Sequence, residues 1–172
     1  MTRIGMGIAL LLGLLVYGCG RSNDDLAAMT TVTSGDGPTF SLRLAGEDAG
    51  DFLSARMQIE SVQVTGGGAV LANAVQTPEV DLADVGRAHL LATFQAPAGV
   101  EDVDFLVVFS GGTLSTSNGS FPMDARCHAL RLAGKVSRIA ERKHAVIHLD
   151  LARSFVPAGA GLTLVPHFQL VY

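Results

Sequence analysis

The chain contains no tryptophan, two tyrosines, eight phenylalanines and two cysteines. So few aromatic rings exclude the tryptophan- and tyrosine-rich platform on which many sugar-binding sandwiches hold their ligands. Two cysteines cannot supply the dense disulfide framework of small secreted domains. The formal net charge of -4 is of the wrong sign for a nucleic-acid-binding surface. A core built from this sequence therefore has to come mainly from aliphatic side chains.

One uncharged stretch, residues 4–18, follows the basic start Met1-Thr2-Arg3. It is shorter than the roughly 20 apolar residues that span a bilayer. A positive start, an apolar run of this length and a small residue at its end are typical of a secretory signal peptide. We therefore predict a signal peptide over residues 1–18, cleaved between Gly18 and Cys19.

The residues at this cleavage point, Val16, Gly18 and Cys19, resemble the bacterial lipobox, although Tyr17 is bulkier than usual. The resemblance implies that Cys19 becomes the mature N-terminus and carries covalent acyl chains. We predict no cofactor. Gly20 in place of an aspartate implies sorting to the outer membrane of the bacterial cell envelope. The alternative is an ordinary signal peptide beside an incidental cysteine.

Residues 20–38 are rich in Ser, Thr, Asp and Gly and lack apolar periodicity. With Cys19 they predict a flexible tether, residues 19–38, with a root-mean-square reach of about 25 Å. Residues 39–172 are long enough for one ordinary domain.

The domain sequence is dominated by the period-two pattern of half-buried strands, as at Phe40, Leu42 and Leu44. Between Ile59 and Val62 the apolar parity changes, which predicts a β-bulge. Residues 82–96 are the one helical candidate, with Asp81 as its cap. Residues 126–139 and 144–151 predict a long hairpin, and residues 162–172 predict a last strand.

Together these segments predict a mainly β fold: an immunoglobulin- or transthyretin-like antiparallel β-sandwich with one short helix. The side chains expected to face inward are Leu42, Ile59, Val62, Phe105, Val107, Ile147, Leu149, Leu164 and Phe168.

Several short segments, taken in order, carry a family resemblance. They are Ile59-Glu60-Ser61-Val62-Gln63-Val64, Val80-Asp81-Leu82-Ala83-Asp84-Val85, Leu90-Leu91-Ala92, Pro97-Ala98-Gly99, His148-Leu149-Asp150-Leu151-Ala152-Arg153-Ser154 and Leu164-Val165-Pro166-His167-Phe168. In this order they resemble the bacterial lipoproteins known as domain of unknown function 4382. The resemblance implies an anchored β-sandwich and carries over no catalytic residue.

His144, His148 and Asp150 fall on one face of a predicted strand. His148 and Asp150 are about 6.6 Å apart along it, and the two histidines about 13 Å. Because zinc binds nitrogen at about 2.0–2.1 Å, His128 or His167 would have to complete a metal site from another strand. The simpler interpretation is a polar outer face.

Charge is uneven along the chain, with acidic residues concentrated before residue 105 and basic ones after residue 125. This asymmetry predicts a polar surface for a protein partner. Its candidate residues are Arg131, Lys135, Arg138, Arg142 and Lys143.

No catalytic motif stands out in the sequence. There is no Gly-x-Ser-x-Gly elbow, and Gly66-Gly67-Gly68 lacks the lysine of a phosphate loop. Cys127 lies between Arg126 and His128, but a buried strand cysteine is the simpler interpretation. We therefore predict a lipid-anchored, non-catalytic envelope domain with a structural or partner-binding role, and no nucleic-acid partner. The alternatives are an envelope metalloprotein or hydrolase using the His/Asp face, and a small-ligand carrier.

Overall fold

A computed structural model describes residues 36–124, 129–159 and 161–172. The predicted signal peptide, Cys19, Cys127 and His128 lie outside the described residues. In chain order the described elements are β1 (Thr39–Glu47), β2 (Phe52–Gly66), β3 (Ala69–Asn73), β4 (Glu79–Asp81), β5 (His89–Gln95), β6 (Asp102–Thr116), β7 (Gly119–Asp124), β8 (Ala129–Lys135), α1 (Val136–Arg142), β9 (His144–Asp150), α2 (Leu151–Ser154), β10 (Phe155–Ala158), β11 (Gly161–Leu164) and β12 (Phe168–Val171).

Within the described residues the strands form two sheets that pack face to face. The small sheet has four strands in the order β12-β9-β1-β5. The large sheet has eight strands and is centred on the long pair β2 and β6. One edge of β6 carries β7 and β8 in succession, and one edge of β2 carries β3 and β4. The predicted mainly β sandwich is thereby confirmed.

The core lies between the sheets and is mainly aliphatic, with a few phenylalanines. Eight of the nine side chains expected to face inward are buried, whereas Phe168 is 38% exposed, so its placement was wrong. Phe168 lies on β12, an edge strand that the core only partly covers. The predicted bulge is confirmed by a register shift in β2 between Ile59 and Ser61.

The helix predicted over residues 82–96 is wrong. Residues 82–88 form turns, and β5 follows as a strand antiparallel to β1, with Phe94 opposite Phe40. The pairing of β5 with β1 shifts register between Leu42 and Arg43. Near that shift the adjacent residues Leu91 and Ala92 are both buried, so the apolar spacing imitates a helix.

The long hairpin predicted after residue 125 is also wrong, because its two arms belong to different sheets. Strand β8 pairs with β6 in the large sheet, and β9 pairs with β1 in the small one. Between them α1 carries the chain across the sandwich, with Ile139 fully buried. It ends at Lys143, which adopts the left-handed conformation with φ 60 that commonly terminates helices.

The segment predicted as one last strand is divided in the same way. Strand β11 belongs to the large sheet and β12 to the small sheet, and Pro166 lies in the crossing between them. Strands β1 and β9 run parallel, as do β11 and β7. The sandwich is therefore mostly, rather than wholly, antiparallel.

The sandwich has two distinct ends. At the first, which we call the tether end, lie α1, the turns that follow Gly66 and Ala96, and the first described residues. There the Val136 N–H donates to the Glu101 carbonyl at 2.8 Å. At the second, the far end, lie the turn that follows Glu47, the turn between β6 and β7, and α2.

Candidate functional site

Gly18 and Cys19, the predicted cleavage and lipidation residues, lie outside the described residues. No helix within the described ranges is long and apolar enough to cross a membrane. The described chain starts at the tether end, where Gly37 approaches the Ala96 carbonyl so closely that a Cβ at Gly37 would overlap it.

The outer face of the small sheet carries the predicted His/Asp set. In the parallel register, His144 lies beside Ser41 and Asp150 beside Glu47. The His148 Nδ1 lies 2.6 Å from Oε1 of Glu47 but has no well-directed hydrogen bond, so this contact is an ion pair when the imidazole is protonated. The amide of Gln169 donates to the other Glu47 oxygen at 3.1 Å. Glu47 thus connects the outer faces of β1, β9 and β12.

Sequence reasoning missed Glu47 because only the β1–β9 pairing brings it to His148. Asp150 is used elsewhere, since its carboxylate accepts the Arg153 N–H at 3.0 Å and caps α2. Among the residues that the structure describes, no three His, Cys, Asp or Glu side chains are grouped to hold a metal ion. His128, the proposed fourth member, lies outside them.

Ser154 is the only fully buried polar residue in the described part of the chain. Its hydroxyl donates to the His167 carbonyl at 3.3 Å and accepts the His167 N–H at 2.9 Å. Both bonds go to backbone, so the hydroxyl ties α2 to the crossing before β12. His167 and Asp150 lie near Ser154, but the Ser154 hydroxyl bonds only to backbone. It therefore secures a loop and is not activated as a nucleophile.

A second polar cluster surrounds Asp81 at the end of β4. Its carboxylate accepts the Ser54 hydroxyl at 2.7 Å and the backbone N–H groups of Ala55 and Ala83 at 2.8 and 3.1 Å. The ring nitrogen Nε2 of buried His89 donates to the Asp81 carbonyl at 3.0 Å. The cluster joins β4 to β2 and begins the turns that replace the predicted helix.

Burial raises the pKa of the Asp81 carboxyl, but the donated hydrogen bonds and the Arg56 guanidinium outweigh burial and hold that pKa below its usual value. A lowered pKa means that the folded state favours the charged carboxylate. Its contribution to stability is therefore present above the unfolded pKa, about 3.9, and is lost as pH falls through the folded pKa.

We expect Asp81→Asn to lower the free energy of unfolding by about 1–2 kcal/mol at pH 7, because charged hydrogen bonds are lost. The effect stays modest since the side chain is 37% exposed. Urea unfolding of the full-length protein at pH 7 and at pH 3 measures it, and the difference from wild type should shrink at pH 3. Glu79→Gln, which removes an exposed charge from the same strand, is the matched control. An undiminished difference at pH 3 would contradict this assignment.

The predicted basic surface is divided by the fold. Arg131 and Lys135 project from the outer face of the large sheet on β8, whereas Arg138, Arg142 and Lys143 lie on or directly after α1 at the tether end. Only the first two share a sheet face. On this face Lys135 pairs with Asp102, its Nζ 2.7 Å from Oδ1, and this partner raises the pKa of Lys135.

Two depressions mark the described surface. One of about 400 Å³ lies on the outer face of the large sheet, beside Asp104 and Arg131. The other, of about 770 Å³, lies at the far end and is lined by Phe52, Phe121 and Leu162. Sequence reasoning found Arg131 through its charge but missed Asp104 as its neighbour, because β6 and β8 are joined only by the sheet.

Comparison with protein-family models, with curated proteins and with solved structures found no match to this chain. The resemblance to domain of unknown function 4382 therefore stays a prediction.

Proposed function

We propose that this chain is a lipid-anchored, non-catalytic domain of the bacterial cell envelope, carried on an acylated Cys19 at the outer membrane. Its role is structural or partner-binding, in keeping with a sequence that carries a predicted signal peptide, a predicted tether and no catalytic motif. The observation that supports this most is the packing of Gly37, near the end of the predicted tether, against Ala96 at one end of the sandwich. The far end then stands furthest from the lipid.

The dimensions of the sandwich suit this role. Strand β6 has 15 residues and runs between the two ends, a distance of about 50 Å at about 3.3 Å per residue. A tether reaching about 25 Å leaves the far end and both outer sheet faces free to meet a partner. The basic residues of α1 would stay near the anchor.

A non-catalytic role is supported by how the candidate reactive groups are used. The Ser154 hydroxyl is engaged with backbone on both sides, His148 with Glu47, and Asp150 with the start of α2. Each of these contacts joins elements of the sandwich. None places a nucleophile beside a general base.

We expect Cys19→Ser to abolish acylation and to release the protein from washed membranes or block signal cleavage. Two or more acyl chains anchor a protein stably, at about 0.8 kcal/mol per buried methylene. Without them, release of the protein from the membrane should be nearly complete. Labelling of cells with radioactive palmitate and membrane fractionation measure both effects. Cys127→Ser is the matched control, because it removes the other cysteine and should leave label and anchoring unchanged.

Partner binding is tested in the same cells by crosslinking followed by purification of the acylated protein. A salt-sensitive adduct that is lost with Arg138→Glu and Arg142→Glu but kept with Arg87→Glu would support a partner at the tether end. A Cys19→Ser protein that stays mature and fully membrane-bound would overturn the anchor. Turnover in a screen of envelope hydrolase substrates would overturn the non-catalytic role.

The far-end depression favours a small-ligand carrier as the second candidate function. Its volume, about 770 Å³, lies in the usual range of ligand sites, and the exposed Leu53 and Val156 add apolar surface at the same end. Saturable binding of a fluorescent apolar probe that is lost with Phe121→Ala, and kept with Phe168→Ala, would favour this candidate. Absence of saturable binding would remove it.

A further inference from the structure

On the outer face of the large sheet, strands β6 and β8 carry two couples of residues, each made of one acidic and one basic side chain. Asp102 lies directly opposite Lys135 in the β6–β8 register, and their side chains form an ion pair at 2.7 Å. Asp104 and Arg131 are the next couple along these strands. They are diagonal neighbours, since Asp104 lies opposite Ala133 and Arg131 opposite Leu106.

We call Asp104 and Arg131 the open couple, because they do not pair with each other, and Lys135 and Asp102 the closed pair. Asp104 and Arg131 are both exposed, and neither forms an ion pair or hydrogen bond with any residue that the structure describes. Diagonal neighbours in a sheet lie about 7–8 Å apart, compared with about 4.5–5.5 Å for directly opposed residues. Because no Arg131 nitrogen lies within 4.0 Å of an Asp104 carboxylate oxygen, a gap remains between these two charges.

The gap lies within the depression of about 400 Å³. Half-buried Leu106 and exposed Ala133 provide its apolar floor between the two charges. Gln63 and Thr65 on β2 add neutral groups that both donate and accept hydrogen bonds. All these positions are on ordered strands, whose pairing holds their spacing.

We propose that this depression binds a short zwitterionic peptide with small side chains. The carboxylate of the ligand pairs with the Arg131 guanidinium, whose planar donors suit a carboxylate. Its ammonium pairs with the Asp104 carboxylate, and its small side chains lie against Leu106. Gln63 and Thr65 meet the peptide groups between the two ends. A ligand with both charges satisfies both side chains at once, which an anion or a cation alone does not.

This site goes beyond the proposed function and does not depend on the anchor. Because both charged residues are exposed, the affinity should be modest and should weaken as ionic strength rises. An extended tripeptide spans about 10 Å, at about 3.3–3.6 Å per residue, and the Arg131 and Asp104 side chains reach its two ends from diagonal positions about 7–8 Å apart. Trialanine is therefore the probe.

The experiment titrates the purified full-length protein in detergent with trialanine, its N-acetyl form and its C-terminal amide, using calorimetry. Loss of either ligand charge should weaken binding at least about tenfold, as expected when one charge-assisted contact is lost. Arg131→Gln should weaken trialanine binding and should bind trialanine and its amide with equal affinity. Asp104→Asn should bind trialanine and its N-acetyl form with equal affinity.

The matched controls are Lys135→Gln and Asp102→Asn, which remove the same types of charge from the closed pair and should bind trialanine as wild type does. The thermal unfolding midpoint checks that each variant is folded. Absence of trialanine binding at millimolar concentration would overturn the proposal. So would equal weakening by the open-couple and closed-pair variants, or unchanged binding in Arg131→Gln or Asp104→Asn. None of these outcomes bears on membrane anchoring.

Discussion

Replacement of Phe105 by alanine is expected to lower the free energy of unfolding by about 3–5 kcal/mol, the usual cost of removing a buried phenyl ring. Phe105 lies on β6, is 1% exposed and meets the ring of Phe94 on β5 edge-on, with centroids 5.8 Å apart. Its ring also fills the space over Gly134, where a Cβ would approach the Phe105 ring to 2.9 Å. One side chain thus joins the two sheets. Urea denaturation of the full-length protein measures the loss.

Phe168→Ala is the matched control for this prediction. The sequence assigned Phe168 to the core together with Phe105, but the structure leaves it 38% exposed on an edge strand. We expect a loss of less than about 1 kcal/mol, because a partly exposed ring has less transfer free energy to lose. Similar losses for the two variants would contradict the placement of β12 at the edge of the small sheet.

Gly46→Ala is expected to cost at least about 2 kcal/mol, since overpacked cores relax only by shifting backbone. Gly46 lies on β1 with ordinary strand geometry, so the requirement is space. A Cβ there would overlap the carbonyl oxygen of Leu82, whose own backbone N–H is bonded to Ala55 on β2. The turn after β4 therefore lies directly against β1. Thermal unfolding followed by circular dichroism measures the effect.

Gly86→Ala supplies the contrast within the same turns. The nearest atom to its added Cβ would be Oδ1 of Asp84 at 3.7 Å, an ordinary contact, and no positive φ is required there. We expect no loss of stability, or a gain of up to about 1 kcal/mol from a less flexible unfolded chain. If Gly86→Ala lowers stability as much as Gly46→Ala does, the close approach of Leu82 to Gly46 is not the cause of the loss.

Strands were predicted correctly from the sequence where one face of the strand is buried and the other is exposed to solvent. The alternation around Leu42 and the parity change before Val62 both appear in the structure as predicted. The helix predicted over residues 82–96 was wrong because a bulge in β5, where Leu91 is the extra residue, allows Leu91 and Ala92 to be buried in succession. Helical spacing and an irregular strand then produce the same pattern, and only pairing with β1 distinguishes them.

Candidate sites were harder to predict because their parts come from different strands. Arg131 and His148 could be selected by residue type, but their neighbours Asp104 and Glu47 could not. Asp104 reaches the depression through the β6–β8 register, and Glu47 reaches His148 through a parallel pairing of strands about 100 residues apart. The alternation along a strand fixes which face a side chain is on, but it does not identify the residue of a distant strand that lies beside it.

By itself the sequence determined the mainly β character of this protein and most of its inward-facing residues, because alternation along a strand is a local consequence of burying one face. It also supplied the prediction of a lipid-anchored, tethered domain. The tertiary structure decided which strands pair, that α1 carries the chain from one sheet to the other, and that Gly37 lies at the α1 end. It also decided that Lys135 closes on Asp102 while Arg131 and Asp104 stay apart. These features depend on how distant segments share one core, and the free energy of that packing is a property of the whole chain.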